Sequence, residues 1–181
     1  MTKDDLRLLY EYDMWANNRI LRATSALTPE QFTRNLGGGF RSVRDTLVHI
    51  VASEWGWVRY WKESSPGPEV LPDLWTKCDV LFNSGAFPDV AAVQLKWKEV
   101  QQERAEFTNC LTVEILARVF PVDSTQISLA RLMYHLLNHS SYHRGQIALM
   151  LGQLRIKPPV TDFHEFLADV PGSDGGLRTR I

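Results

Sequence analysis

Cysteine is scarce in this 181-residue chain, which has only Cys78 and Cys110. Two thiols cannot build a disulfide framework, and they fit a reducing compartment. Charge of one sign is not in excess either: 20 Lys+Arg stand against 21 Asp+Glu, for a formal net charge of −1. A nucleic-acid or anionic-membrane binder would show a basic surplus, so neither partner is expected. No apolar run approaches the roughly 18 residues of a membrane span. The opening MTKDDLRLL lacks a cationic start followed by an apolar stretch. The sequence therefore predicts no secretory leader and a cytoplasmic location. Gly37-Gly38-Gly39 precedes a helix, but no Lys-Ser/Thr follows, so it reads as a turn rather than a phosphate cradle.

What is present is ordinary for one globular domain: 44% hydrophobic and 23% charged residues. The dominant period is 3.6, not 2. A first helix is expected over about residues 4–26, with Leu6, Leu9, Tyr10, Ile20 and Leu21 on one face and Thr2 capping through Asp5. A second helix opens at Ser42 and carries Val43, Leu47, Ile50, Val51, Trp57, Val58 and Trp61. Prolines 66, 68, 72 and 88 make the stretch from Ser64 to Pro88 read as a long crossover. The third helix spans about Asp89 to Cys110, using Val93, Trp97, Val100, Arg104 and Phe107. A brief extended piece at Val119–Val122 precedes a fourth helix, expected from near Ser124 to Gly152. A short turn at Asp162–Leu167 closes a single domain over residues 1–168, and 169–181 reads as a loose tail. Four helices with one long crossover make an all-α four-helix bundle the expected architecture.

Histidine is the informative residue. Of five, three fall in the fourth helix: His135, His139 and His143. Neighbours four apart share a face, with Cβ atoms about 5–6 Å apart, which is a metal clip. His135 and His143 are about 12 Å apart along the axis, so all three cannot hold one ion. Turning about 100° per residue puts His143 in the apolar stripe of Leu129, Leu132, Leu136, Ile147 and Met150. His139 lies at its edge and His135 farther round, so His139 and His143 are the better pair. Two inward imidazoles need partners for their nitrogens, from either a metal or neighbouring side chains. A third ligand would come from His49 in the second helix or, less favourably, His164 near the end. Three histidines with an open position is the arrangement of a catalytic zinc.

Asp13 and Asn17 fall at the centre of the first helix's apolar stripe. They read either as a buried polar pair satisfying the interior or as residues facing the site, supporting ligands or substrate.

Four segments together resemble the DinB/YfiT-like metalloprotein family: Tyr12 to Asn18 (Y-D-M-W-A-N-N), Ser42 to Ile50 around His49, Asn138 to Gln146 (H-x-x-x-H-R-G-Q), and Pro158 to Phe163. The likeness runs in order over about residues 1–168. It implies an up-down-down-up four-helix bundle and a divalent-metal site at His49, His139 and His143. The resemblance also brings in enzymes of the wider superfamily that act with low-molecular-weight thiols, a homodimer, and a name that refers to damage inducibility and hence stress response.

The chemistry expected on that basis is metal-dependent transfer to or from a thiol, with the thiolate as nucleophile toward a small electrophile. Arg144 and Gln146 would orient an anionic thiol or hold the helix end. Trp15, Trp55, Trp57 and Trp61 would line a pocket or simply fill the core. The alternatives are a metal-dependent hydrolase, with Asp13 or Glu54 as base, and a non-catalytic metal-stabilised bundle. Imidazole suits several ions; zinc or nickel is expected.

Overall fold

The computed structural model describes residues 2–169. Four long helices dominate: α1 (Lys3–Thr24), α3 (Val43–Lys62), α5 (Val90–Asn109) and α7 (Leu129–Gln153). Shorter helices are α2 (Pro29–Thr33), α4 (Val70–Leu81), α6 (Val113–Ala117) and α8 (Phe163–Asp169), and Val119–Val122 pairs antiparallel with Thr125–Ser128 as β1 and β2. Each long helix starts where the sequence supplies a cap or an extended residue. Thr2 and Asp5 exchange the two bonds of a capping box on α1, while Ser42 and Asp89 accept from the amides of Asp45 and Ala92. α7 packs against α1 and α3, and α5 packs against the same two helices.

Two apolar clusters make the interior. One gathers Ile20, Leu47, Ile50, Val93, Trp97, Ile147 and Leu151, and the other Leu6, Tyr10, Trp61, Phe120, Leu129, Met133 and Leu136. Going along the chain, α1 and α7 pass from the second cluster to the first, whereas α3 runs from the first to the second. α5 runs the same way as α3, from Val90–Val100 in the first to Phe107 against the second. Burying most of such side chains stabilises the fold by about 1.5–3 kcal/mol each, before conformational entropy is opposed.

The structure departs from the sequence expectation in three places. Within the crossover, α4 and a 3-10 turn at Ser84–Ala86 replace open loop. Pro72 is no obstacle, because it falls in the first turn of α4 where its missing N–H costs nothing. Leu71, Leu74 and Cys78 then bury one face against α3. α4 approaches so closely at Gly56 that a Cβ there would lie 2.5 Å from Trp75 Cζ3. That contact explains a glycine in mid-helix, where it ordinarily costs about 1 kcal/mol against alanine. The fourth long helix begins at Leu129, not near Ser124, since Thr125–Ser128 is taken by β2 and Asp123 turns the hairpin at φ 51°. Finally, a capping box of Thr28 with Gln31 starts the short α2 before the glycine loop. α8 runs through Asp169, which binds Arg19 and the Trp15 indole. Residues 170–181 of the expected tail lie outside the described residues.

Candidate metal centre

His49 projects from the second turn of α3, and His139 and His143 from the middle of α7. The four-residue spacing on α7 puts its two rings one above the other, and the α3–α7 contact brings His49 across to meet them. His139 Nε2 lies 2.9 Å from His49 Nε2 and 3.1 Å from His143 Nε2. One ring atom from each of the three falls within 4.8 Å of the others. Gln146 Oε1 sits 2.8 Å from His143 Nδ1. With the amide oriented this way, it accepts the Nδ1 proton and leaves the His143 Nε2 lone pair facing inward. The Phe40 ring stacks on His49 at 4.1 Å and meets His143 edge-on at 5.4 Å.

Burial, reinforced by the neighbouring imidazoles, pushes His49 down to about 4 and His139 down to about 3. His143 is lowered too, chiefly by burial, with Gln146 opposing. All three rings are therefore neutral near pH 7, the form in which a metal takes them. Neutral rings whose Nε2 atoms face one another at this range avoid lone-pair repulsion through a ring proton between them or a cation among them. Separations near 3 Å are shorter than twice a Zn–N bond of about 2.0–2.1 Å, so one ion can reach all three from one side. The donor set fits a divalent ion. His139 Nδ1 is the one buried ring nitrogen among these three without a hydrogen-bond partner.

A family model described as the DinB family matches residues 1–171. The chain belongs to the DinB family. Among curated proteins it is similar to Protein DinB of Bacillus subtilis (strain 168), 23% identical over 164 residues that cover 88% of this chain and 91% of the relative. In fold it is similar to a DinB-like protein from Bacillus cereus ATCC 10987, at a TM-score of 0.62 and 16% identity, covering 81% and 91% of the two chains.

In this DinB-family chain the other residues singled out by sequence are placed differently. Gln146 touches His143, as described. Asp13, Asn17 and Arg144 join instead in a buried network with Arg104 and Glu54, one member or more from each long helix. Arg104 Nη1 donates to Asp13 Oδ2 at 2.6 Å and lies 2.9 Å from Glu54 Oε1. Arg144 donates to Asp13, to Asn17 Oδ1 at 2.8 Å and to Ser141 Oγ at 2.8 Å, and Asn17 donates to Asp13 Oδ2 at 3.0 Å. Asp13, Glu54, Arg104 and Arg144 are 0–3% exposed. Burial pushes the Glu54 carboxyl up to about 7 against the pull of Arg104, and neither of its oxygens has a well-aligned hydrogen bond. On every long helix the network residue falls between the stretches that feed the two apolar clusters. Arg104 was readable only as part of an apolar face, because a single charge in a helical stripe carries no sign of its partners.

The remaining histidines are not among the three converging rings, although the His135 ring lies 6.1 Å from that of His139. His135 is exposed on α7 with its ring edge on Trp57, and His164 is exposed on α8. Trp57 and Trp61 are core, Trp55 packs between the two clusters, and Trp15 packs on Phe166. The aromatic residues that flank the histidines are others: Phe40, presented by Gly37 and Gly38 at φ 83° and 89°, and Trp75 and Phe82 across a cleft of about 340 Å³ that reaches His49. A run of glycines before a helix was the one signal for Phe40. Cys78 borders the cleft, but burial and the nearby Asp79 push its thiol up to about 12, so it stays protonated. A larger groove of about 580 Å³ lies beside the hairpin and touches no histidine.

Proposed function

We propose that His49, His139 and His143 hold one divalent ion, zinc or nickel, in an up-down-down-up four-helix bundle, and that the centre serves a metal-dependent S-transferase acting with a low-molecular-weight thiol. The observation that carries the metal reading is the convergence of three neutral Nε2 donors. The order in which the long helices visit the two apolar clusters supports the topology. When bound, the ion would supply Lewis acidity and favour the thiolate form of a thiol. The chain's own contribution is to hold three rings neutral, to fix the His143 tautomer through Gln146, and to shield one side of the centre with Phe40. The rest of the reading is a cytoplasmic homodimer with a stress-response role, acting on a small molecule and not on nucleic acid or membrane. Balanced charge supports the last part.

The hydrolytic alternative asks for a general base. Both carboxylates nominated for it, Asp13 and Glu54, are committed to buried arginines. Thiol transfer needs no such base, and this favours it.

Elemental mass spectrometry on untagged protein, beside His139→Ala, tests the metal. About one divalent ion per chain, lost in the variant, is the expected result for a three-histidine site. Protein that stays empty after incubation with zinc or nickel salts overturns the reading. Loaded protein is then screened with thiols and a panel of electrophiles, where thiol-dependent turnover is expected.

A further inference from the structure

The cleft that ends at His49 has walls of one character and charge of one sign. Phe40, Trp75 and Phe82 supply aromatic surface from the glycine loop and from α4 and its end. Trp75 is set in place from behind, lying against Gly56 and meeting Trp57 edge-on at 5.6 Å. Phe82 stacks parallel to Phe87 at 6.2 Å. Among the described residues, the only charged side chains lining the cleft are Asp45 and Asp79. Asp45 is already engaged by Arg44 Nε at 3.1 Å. Asp79 is exposed, and among the described residues it has no ion-pair partner. Lys96, whose Nζ lies 5.9 Å from the Phe82 ring centroid, is paired with Glu99 and does not line the cleft.

We propose that this cleft receives the non-thiol reactant of the histidine centre and selects a small molecule with a flat apolar body and a positively charged amine or amidine. Its role in the reaction rests on the metal reading above; its selectivity does not. Aromatic walls take the flat body by stacking and by removing apolar surface from water, and they also favour a cation above their faces. Asp79 supplies the unneutralised negative charge that a cationic end would meet. A thiol carrying carboxylates is disfavoured by the same charge, so it must reach the histidines by another side.

The test uses the full chain, kept metal-free in chelator for the binding measurement so that no dication at the histidines draws the carboxylate, and three probes matched in size: phenethylamine, 2-phenylethanol and 3-phenylpropionate. Binding is followed by NMR at the Trp75 indole N–H, assigned by its disappearance in Trp75→Phe. Phenethylamine is expected to move that signal and to bind about two- to fivefold tighter than the alcohol, the upper range of one exposed ion pair, with the carboxylate weakest. Asp79→Asn is expected to erase the amine's advantage over the alcohol while zinc uptake, measured on parallel samples without chelator, is unchanged. Exposed Glu106→Gln is the control and should leave the ranking as it was. Equal or stronger binding of the carboxylate, an unmoved Trp75 signal, or an Asp79→Asn variant that still prefers the amine overturns the proposal. Zinc bound without amine preference defeats the cleft and leaves the metal reading standing. Amine preference in protein that binds no zinc does the reverse.

Discussion

Two polar clusters lie in the interior of this protein, and they are built on opposite principles. The Asp13–Glu54–Arg104–Arg144 cluster contains both signs of charge, and its members bind one another. The His49–His139–His143 cluster contains three rings of one kind, all neutral, whose Nε2 atoms face one another. A buried ion pair is held by partners the chain supplies, and what it adds is a fixed pairing of helices, even though both Glu54 oxygens lack a well-aligned hydrogen bond. Imidazoles gathered with no opposite charge among them are a donor set that an ion could complete. The first cluster contributes architecture, and the second is the candidate site.

Removing one member should expose the contrast most strongly. Arg104→Ala leaves Asp13 and Glu54 buried with their shared cation gone, and is expected to cost about 3–5 kcal/mol in urea denaturation. A loss under about 1 kcal/mol would mean that water reaches the cluster, and that it is not a sealed core pairing. His139→Ala should hardly disturb metal-free protein by comparison. In zinc at a hundredfold excess over the dissociation constant, however, wild type gains about 2.7 kcal/mol and the variant should gain nothing. Thermal melts with and without chelator read this directly.

A smaller effect separates ligand from support. Gln146→Ala keeps all three rings but frees the His143 Nδ1–H, so metal affinity should fall about 10- to 100-fold without change of fold. Competition against a zinc-responsive dye measures it, and unchanged affinity would remove Gln146 from the site.

The smallest effect is one of pH, and here the clusters pull in opposite directions. His49 and His139 sit near 4 and 3, below their ordinary 6.5. The unfolded chain therefore binds more protons over that span, and metal-free protein loses stability as pH falls through it. Glu54, near 7 instead of 4.5, keeps a proton in the folded state that the unfolded chain has lost. Its contribution therefore falls as pH rises from 4.5 to 7. Glu54→Gln removes this opposing slope, so acidifying chelator-treated variant from pH 6.5 to pH 5 should lower its urea midpoint more than wild type's. Equal slopes would show that Glu54 is ionised throughout.

Much of this was legible in the residues, for local reasons. Thr2 with Asp5, Ser42 with Asp45, and the stripes of α1, α3, α5 and α7 are consequences of short-range geometry. So is the pairing of His139 with His143, since a four-residue spacing on a helix fixes their neighbourhood. α4 escaped because Pro72 and the prolines on either side of the helix masked three well-spaced apolar residues, and β2 because four residues of strand look like the approach to a helix. His49 stood beside His164 as a candidate third ligand, the resemblance to the DinB family singled it out, and the α3–α7 packing brings it together with the other two.

By itself the sequence determined the long helices, their buried faces and the supply of imidazoles, because these depend on residues within one or two turns of each other. Tertiary structure alone decided which charges would meet. Asp13 and Arg104 are 91 positions apart, and Asp13 and Arg144 are 131. It likewise decided that Phe40, Trp75 and Asp79 would border one cleft at His49. Partners that distant leave no periodic trace in a single chain, since side-chain spacing along a helix says which way a residue faces and not what it will find there.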